Sequence, residues 1–300
     1  MMKVDVIVLT KNSEKTLNFT LESIAREVPC NELIVVDGGS NDKTLEIANK
    51  YDARIIKEVK GIALARYVGA LASSTEWICY VDSDIYLYPL WYKWVSRWAK
   101  DSEIVWIQGL TLEHSYTMMT YALSKTLRYL KWGCVSLSNS LIKRDVVISC
   151  KSLMDKNLNA GEDAVLYRHV KSLGGCVILE PKAQSLHIPD SFPHDMHAYY
   201  RAGSSQKTRH KVPRPWYIAM PLLLLREGLV RYLIVKDANI IPLFMGMFGT
   251  AYLMGYIGLN DKLLERFLKN LEEIRAVDPI KIKDIYREII SNFHLKALEV

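Results

Sequence analysis

Short apolar runs separated by polar turns recur through the first hundred residues. Val4 to Leu9, Glu32 to Val36, Ala53 to Ile56 and Trp77 to Val81 are rich in Val and Ile and bounded by turn residues, the pattern of buried strands. Between them, Glu14 to Arg26, Asp42 to Tyr51 and Ile62 to Ser73 carry apolar side chains at three- and four-residue spacing, as in Leu17, Leu21, Ile24 and Ala25. That spacing predicts amphipathic helices. Alternation of strand and helix predicts an α/β fold: a mostly parallel sheet with helices on both faces. In such sheets ligands bind beyond the C-terminal strand ends, so chemistry is sought first in the loops there.

Those loops are polar and acidic. Thr10-Lys11-Asn12-Ser13 follows the first strand, Asp37-Gly38-Gly39-Ser40-Asn41-Asp42 the second, and Asp82-Ser83-Asp84 the fourth. Taken singly, each loop has two readings. Ser13, Asn41 and Asp42 are natural helix caps and Gly38 and Gly39 natural positive-φ residues; alternatively, the polar groups converge on a ligand. Three such loops on one sheet edge favour the ligand.

Further residues share this double character. Asp82 and Asp84 stand one residue apart at a strand end, where two carboxylates can share Mg²⁺ or Mn²⁺ together with substrate phosphates. Glu162 and Asp163 open a helical pattern that ends at Gly174-Gly175. They complement the helix dipole, or Asp163 serves as a general base for a substrate hydroxyl. His187 is a structural histidine or the completion of a metal shell. Lys60 and Arg66, on either side of Gly61 at the start of the third helical pattern, are a solvated pair or the counter-charge of a diphosphate.

The middle of the chain, from 85 to 200, is less regular. Trp91, Trp94, Val95 and Trp98 form one helical stripe, read as a packing face. From about 212 the character changes. Residues 201–236 hold eight Lys and Arg against Glu227 alone, enough to account for the whole formal charge of +6, and Ala238 to Asn260 contains no charged residue. A localised basic cluster beside an apolar stretch fits a cytoplasmic membrane surface and argues against a nucleic-acid coat. Spanning, lying in the interface and packing as a buried helix pair all remain open for 238–260. The expected division is a catalytic domain over 1–211 and a helical, membrane-associating region over 212–300. Half of the residues are apolar, which excludes a disordered chain. Five cysteines without a C-x-x-C pair predict free thiols in a reducing compartment, and an N-terminus that leads straight into a strand carries no signal peptide.

The ordered series Val6-Ile7-Val8-Leu9-Thr10-Lys11-Asn12, Glu32 to Thr44, Lys60-Gly61 with Arg66, Tyr80-Val81-Asp82-Ser83-Asp84 and Gly161-Glu162-Asp163 resembles the family 2 glycosyltransferases of GT-A fold. The resemblance covers roughly residues 3–200 and implies a Rossmann-like catalytic domain. It implies a nucleotide-sugar donor held by Thr10, Asn12, Asp37, Lys60, Arg66, Asp82, Ser83 and Asp84, and Mg²⁺ or Mn²⁺ on Asp82, Asp84 and His187. Asp163, with Glu162 beside it, would be the base of an inverting transfer to a glycan or lipid-linked acceptor at the cytoplasmic membrane face. Two rivals carry the same motifs: a sugar nucleotidyltransferase, and a noncatalytic membrane-bound scaffold that only binds nucleotide. Thr10-Lys11-Asn12-Ser13 lacks the glycines that a nucleotidyltransferase needs after its first strand.

Overall fold

The computed structural model describes residues 2–113, 136–155, 158, 160–187, 200 and 298–299. The first half alternates as the pattern predicts: β1 (Val4–Thr10), α1 (Leu17–Glu27), β2 (Cys30–Asp37), α2 (Thr44–Asn49), β3 (Arg54–Lys57), α3 (Ile62–Ala72) and β4 (Trp77–Asp82). Then come β5 (Ile85–Leu87), α4 (Trp91–Ser96) with a 3-10 turn over Arg97–Lys100, and β6 (Ile104–Glu113). The remainder is β7 (Asn139–Lys143), α5 (Arg144–Ser149), α6 (Glu162–Ser172), β8 (Cys176–His187) and β9 (Leu298–Glu299).

The first two helices start later than the apolar spacing suggests because polar side chains take over the turns before them, whereas α3 starts at Ile62 as read. Asp42 accepts the Thr44 amide at the head of α2, as a capping acid does, and also the Glu14 amide. Glu14 in turn accepts the Lys43 amide, which leaves residues 13–16 as a turn. Pro29 follows the end of α1, and Val28 before it is extended.

The strands form one sheet in the order β3-β2-β1-β4-β7-β6-β8-β5. The parallel block β3-β2-β1-β4 is as expected, but the sheet as a whole is mixed rather than mostly parallel. β7 runs antiparallel to both β4 and β6, and β5 and β9 run antiparallel to β8. The physical reason is the connection. Only strands joined through a crossover helix are forced parallel, and α4 and its 3-10 turn feed β6 onto the far side of β7.

Alternation along each strand sends residues to two cores. Val4, Val6 and Val8 of β1 pack with Leu17, Leu21 and Ile24 of α1 and with Trp91 and Val95 of α4 on one face. Ile7 joins Ala63, Tyr67 and Ala70 of α3, Val147 of α5 and Leu166 of α6 on the other. α3 lies close enough to β1 that a Cβ on Gly69 would meet Ile7 Cγ2 at 2.6 Å, so this crossing needs glycine.

Cys30, Cys79 and Cys150 are free thiols. Among the described residues no helix is long and apolar enough to cross a membrane. The apolar stretch 238–260, the basic cluster from 201 and the 211/212 boundary lie outside the described residues. Near the C-terminus, Leu298 and Glu299 pair with Leu179 and Ile178, so the chain returns to the sheet of the N-terminal region.

Candidate active site

The C-terminal ends of β1, β2 and β4 bring three loops together, and side chains lock them to one another. Asn12, at φ +51°, receives the Asn41 amide on its side-chain oxygen, while its own amide donates to Ser40 Oγ. Ser13 Oγ lies 2.9 Å from Ser83 Oγ, which ties the first loop to the Asp82-Ser83-Asp84 turn. The Gly38 amide donates to the Thr10 carbonyl.

Asp37 is only 2% exposed, and its own loop engages both of its oxygens. They accept the Gly39 and Ser40 amides, the Ser40 hydroxyl and, at 3.4 Å, the Thr10 hydroxyl. The carboxylate therefore braces the turn from inside, with Gly39 at φ +86° as the turn requires. Gly38, Gly39 and Ser40 beside it are partly exposed. Lys60 is exposed on the loop after β3, with its amide on Glu58.

Asp82 and Asp84, read as a pair in the sequence, face different partners. Asp82 Oδ1 receives Arg66 Nη2 at 2.7 Å. Asp84 Oδ2 lies 3.2 Å from His187 Nε2, because the antiparallel register sets His187 opposite Ile85. An octahedral ion with bonds of about 2.1 Å holds neighbouring ligand atoms about 3 Å apart, so this pair has the spacing and chemistry of two adjacent ligands. Among the described residues no group of three or more His, Cys, Asp or Glu side chains is arranged to hold a metal. A substrate diphosphate would have to complete the shell.

Arg66 is the structural centre of the site. It is 2% exposed, stacks over the Tyr80 ring at 5.2 Å, and lies between Asp82 and Glu162, whose Oε1 is 3.8 Å from Arg66 Nε. The Tyr80 hydroxyl donates to the Arg66 carbonyl and fixes the start of the side chain. Burial works against its charge, and Asp82 and Glu162 more than offset that cost. Far from a solvated surface pair, Arg66 and Lys60 occupy opposite environments.

Glu162 and Asp163 divide in the same way. Gly161, at φ +73°, lets the chain enter α6 with Glu162 turned inward and Asp163 half-buried. Burial first, and the Asp163 charge second, push the Glu162 carboxyl up to about 7 from its ordinary 4.5, while Arg66 pulls it down. A raised acid is stabilising below its unfolded value, and that stabilisation is lost as pH rises through the folded one. The parent protein is therefore expected to lose about 3 kcal/mol relative to Glu162→Gln between about pH 4.5 and 7. Urea denaturation of both proteins across this window checks it, and a pH-independent gap would contradict the assignment.

The arrangement thus has three parts: a backbone cradle over β1 and β2, an Asp84–His187 pair, and an Arg66-centred carboxylate cluster leading to Asp163. The sequence offered Tyr80 only within the motif that leads to Asp82, and Ser13 only as a loop residue with a helix-cap reading beside a ligand reading. Their only signal is placement, one within β4 before Asp82 and one in the first loop.

Known proteins resemble this chain in part of its sequence and in its fold. The sequence profile of glycosyl transferase family 2 matches residues 5–147. Poly(ribitol-phosphate) β-N-acetylglucosaminyltransferase TarS of Staphylococcus aureus is 37% identical over 97 residues, which are 29% of this chain and 17% of TarS. The chain thus spans under a fifth of that relative. Glucosyl-3-phosphoglycerate synthase of Mycobacterium tuberculosis, crystallised with Mn²⁺, UDP and phosphoglyceric acid, superposes with a TM-score of 0.51 at 19% identity, covering 70% of this chain and 79% of that one. The crystal structure of S. aureus TarS superposes with a TM-score of 0.50 at 14% identity, covering 86% of this chain and 55% of that one. At these identities the likeness is one of fold.

Proposed function

Because residues 5–147 match the profile of glycosyl transferase family 2, we propose that this chain moves a sugar from a nucleotide-sugar donor to a glycan or lipid-linked acceptor, with inversion at the anomeric carbon. One observation carries the reading: a single buried guanidinium, Arg66, joins Asp82 at the end of β4 to Glu162 at the head of α6, beside Asp163. Donor-side and acceptor-side carboxylates thereby belong to one site. The UDP and Mn²⁺ in the mycobacterial synthase support a nucleoside diphosphate donor and a divalent ion. The relative named for poly(ribitol phosphate) supports a glycan acceptor.

The backbone face of Gly38 to Ser40, with Thr10 and Asn12 behind it, receives the nucleoside, and Lys60 supplies positive charge at the rim. Asp84 and His187 would hold Mg²⁺ or Mn²⁺, which would supply positive charge against the departing diphosphate. Asp163 accepts the proton of the acceptor hydroxyl as its oxygen attacks the anomeric carbon from the face opposite the diphosphate. Glu162, held inward by Arg66, keeps a second charge away from that carbon and fixes the first turn of α6. The basic and apolar sequence beyond residue 200 supports a station at the cytoplasmic membrane face, where a lipid-linked acceptor is within reach.

Release of nucleoside diphosphate from a panel of nucleotide sugars with Mn²⁺ tests the activity; no release with any donor would favour a scaffold. Asp84→Ala tests the metal role separately. Calorimetry with Mn²⁺ and the preferred donor should show affinity lower by about tenfold or more, since even outer partners of metal ligands are worth that much. Equal affinity would remove Asp84 from the metal site.

A further inference from the structure

We propose that the cationic, tryptophan-bearing face formed by α4, its 3-10 turn and a bulge of β8 docks on the phosphates of an anionic lipid surface. The surface lies apart from the transfer site and does not rest on the reaction assigned to it.

The helical stripe read as a packing face splits in two. Trp91 and Val95 are fully buried, as packing requires. Trp94 and Trp98 are only partly buried, Leu90 is 53% exposed, and Lys93, Arg97 and Lys100 stand in solvent around them. β8 contributes a fourth cation. Its pairing with β6 jumps from Gly109↔Glu180 to Leu110↔Gln184, so Pro181, Lys182 and Ala183 bulge out of the ladder. Gly109 permits the bulge, since a Cβ there would meet the Ala183 carbonyl oxygen at 2.5 Å. The bulge sets Lys182 Nζ over Trp94 at 4.8 Å.

A buried acid organises this surface without neutralising it. Glu180, 1% exposed, accepts Arg97 Nη2, Trp98 Nε1 and the Lys182 amide, which fixes all three. Arg97 then stacks on Trp94 at 5.2 Å and on Trp98 at 4.8 Å, with Lys93 at 6.0 Å from Trp94. Among the described residues Lys93, Lys100 and Lys182 make no ion pair. The nearest acids in sequence, Asp101 and Glu103, come after the turn, where Asp101 accepts the Glu103 amide.

Geometry decides the kind of partner. A sugar recognised by tryptophan needs an open ring face, and three cations crowd the faces of Trp94. The surface then offers partly exposed tryptophan, the exposed Leu90 and ammonium groups, the combination that sits at a bilayer interface. Leu90 to Lys100 runs about 15 Å, wider than one phosphate and suited to several headgroups at once.

The test uses the full chain with Lys93→Gln, Lys100→Gln and Lys182→Gln combined; Arg97 is kept so that Glu180 stays paired. Binding to vesicles of equal parts phosphatidylglycerol and phosphatidylcholine is compared with binding to phosphatidylcholine alone. Each cation near an anionic surface is worth about fivefold, so the triple variant should bind the anionic vesicles about a hundredfold more weakly. Binding to neutral vesicles, which reads any contribution of 212–300, should be unchanged, as should the thermal shift given by nucleotide. Equal binding of parent and variant to anionic vesicles overturns the proposal. So does a parent that binds soluble polyphosphate but no vesicle, which would make the face a polyanion site.

Discussion

Asp163→Asn is expected to lower turnover with a hydroxyl acceptor by about 10²- to 10⁴-fold, the usual worth of a positioned general base, while donor affinity stays within about twofold. The separation follows from where the side chain sits. Asp163 is half-buried at the head of α6, and the proposed donor contacts come from the ends of β1, β2 and β4 on other elements. Asn preserves size and the first-turn hydrogen bond to the Ala164 amide, so the helix start survives. One consequence reaches the neighbour. Asp163 is the second-largest influence raising Glu162, so its neutralisation lowers the Glu162 proton affinity. Steady-state kinetics with the same donor and two acceptor types separates the possibilities. A hydroxyl acceptor should show the full loss, whereas an anionic lipid phosphate attacks without giving up a proton and should show little. Full turnover on a hydroxyl would remove Asp163 from the reaction.

The parallel half of the sheet was legible because β1, β2 and β4 carry buried runs of Val and Ile and β3 a shorter, half-buried Ile pair, all between polar loops, and each boundary shifts by only a residue or two. The other half was not. β7 begins with Asn139 and Ser140, both fully buried, so its apolar signal is only Leu141 and Ile142. Buried hydrogen bonds account for these polar residues: Asn139 donates to Ser185, and Ser140 receives Trp106 Nε1. β8 is broken by Pro181 and Lys182, which belong to the bulge and not to the ladder. Period-2 reading fails wherever polar groups find partners inside the sheet, and β6 to β8 are such a place.

The site was legible as a list of residues and not as an arrangement. Motif order placed the acids at one sheet edge, yet spacing could not tell that Asp82 and Asp84 turn to different partners. That depends on β8 returning His187 beside β5. Nor could it tell that Asp37 is spent on its own turn, or that of two cations six residues apart, Arg66 is sealed inside and Lys60 is not. Burial of an arginine is set by tertiary packing against Tyr80 and α6, which no local pattern encodes.

Arg66→Met carries the largest expected cost in stability, about 3–5 kcal/mol at neutral pH, because it strips the cation from two carboxylates and leaves Glu162 buried with Asp163 beside it. Met fills much of the aliphatic volume and can still lie over Tyr80, so the loss is electrostatic rather than a cavity. The pH dependence identifies it. Without Arg66 the Glu162 carboxyl moves higher still, takes a proton more readily, and costs less to bury as the solution is acidified. The gap between parent and Arg66→Met in urea midpoint should therefore narrow from about pH 7.5 to about pH 5. Adding Glu162→Gln to Arg66→Met should recover part of the loss at neutral pH, since Gln is neutral without having to take a proton from solution, and the double-mutant cycle then gives the coupling directly. A cost below about 1 kcal/mol, or one that ignores both pH and Glu162→Gln, would mean that Arg66 is held by packing alone and that the two carboxylates do not share it.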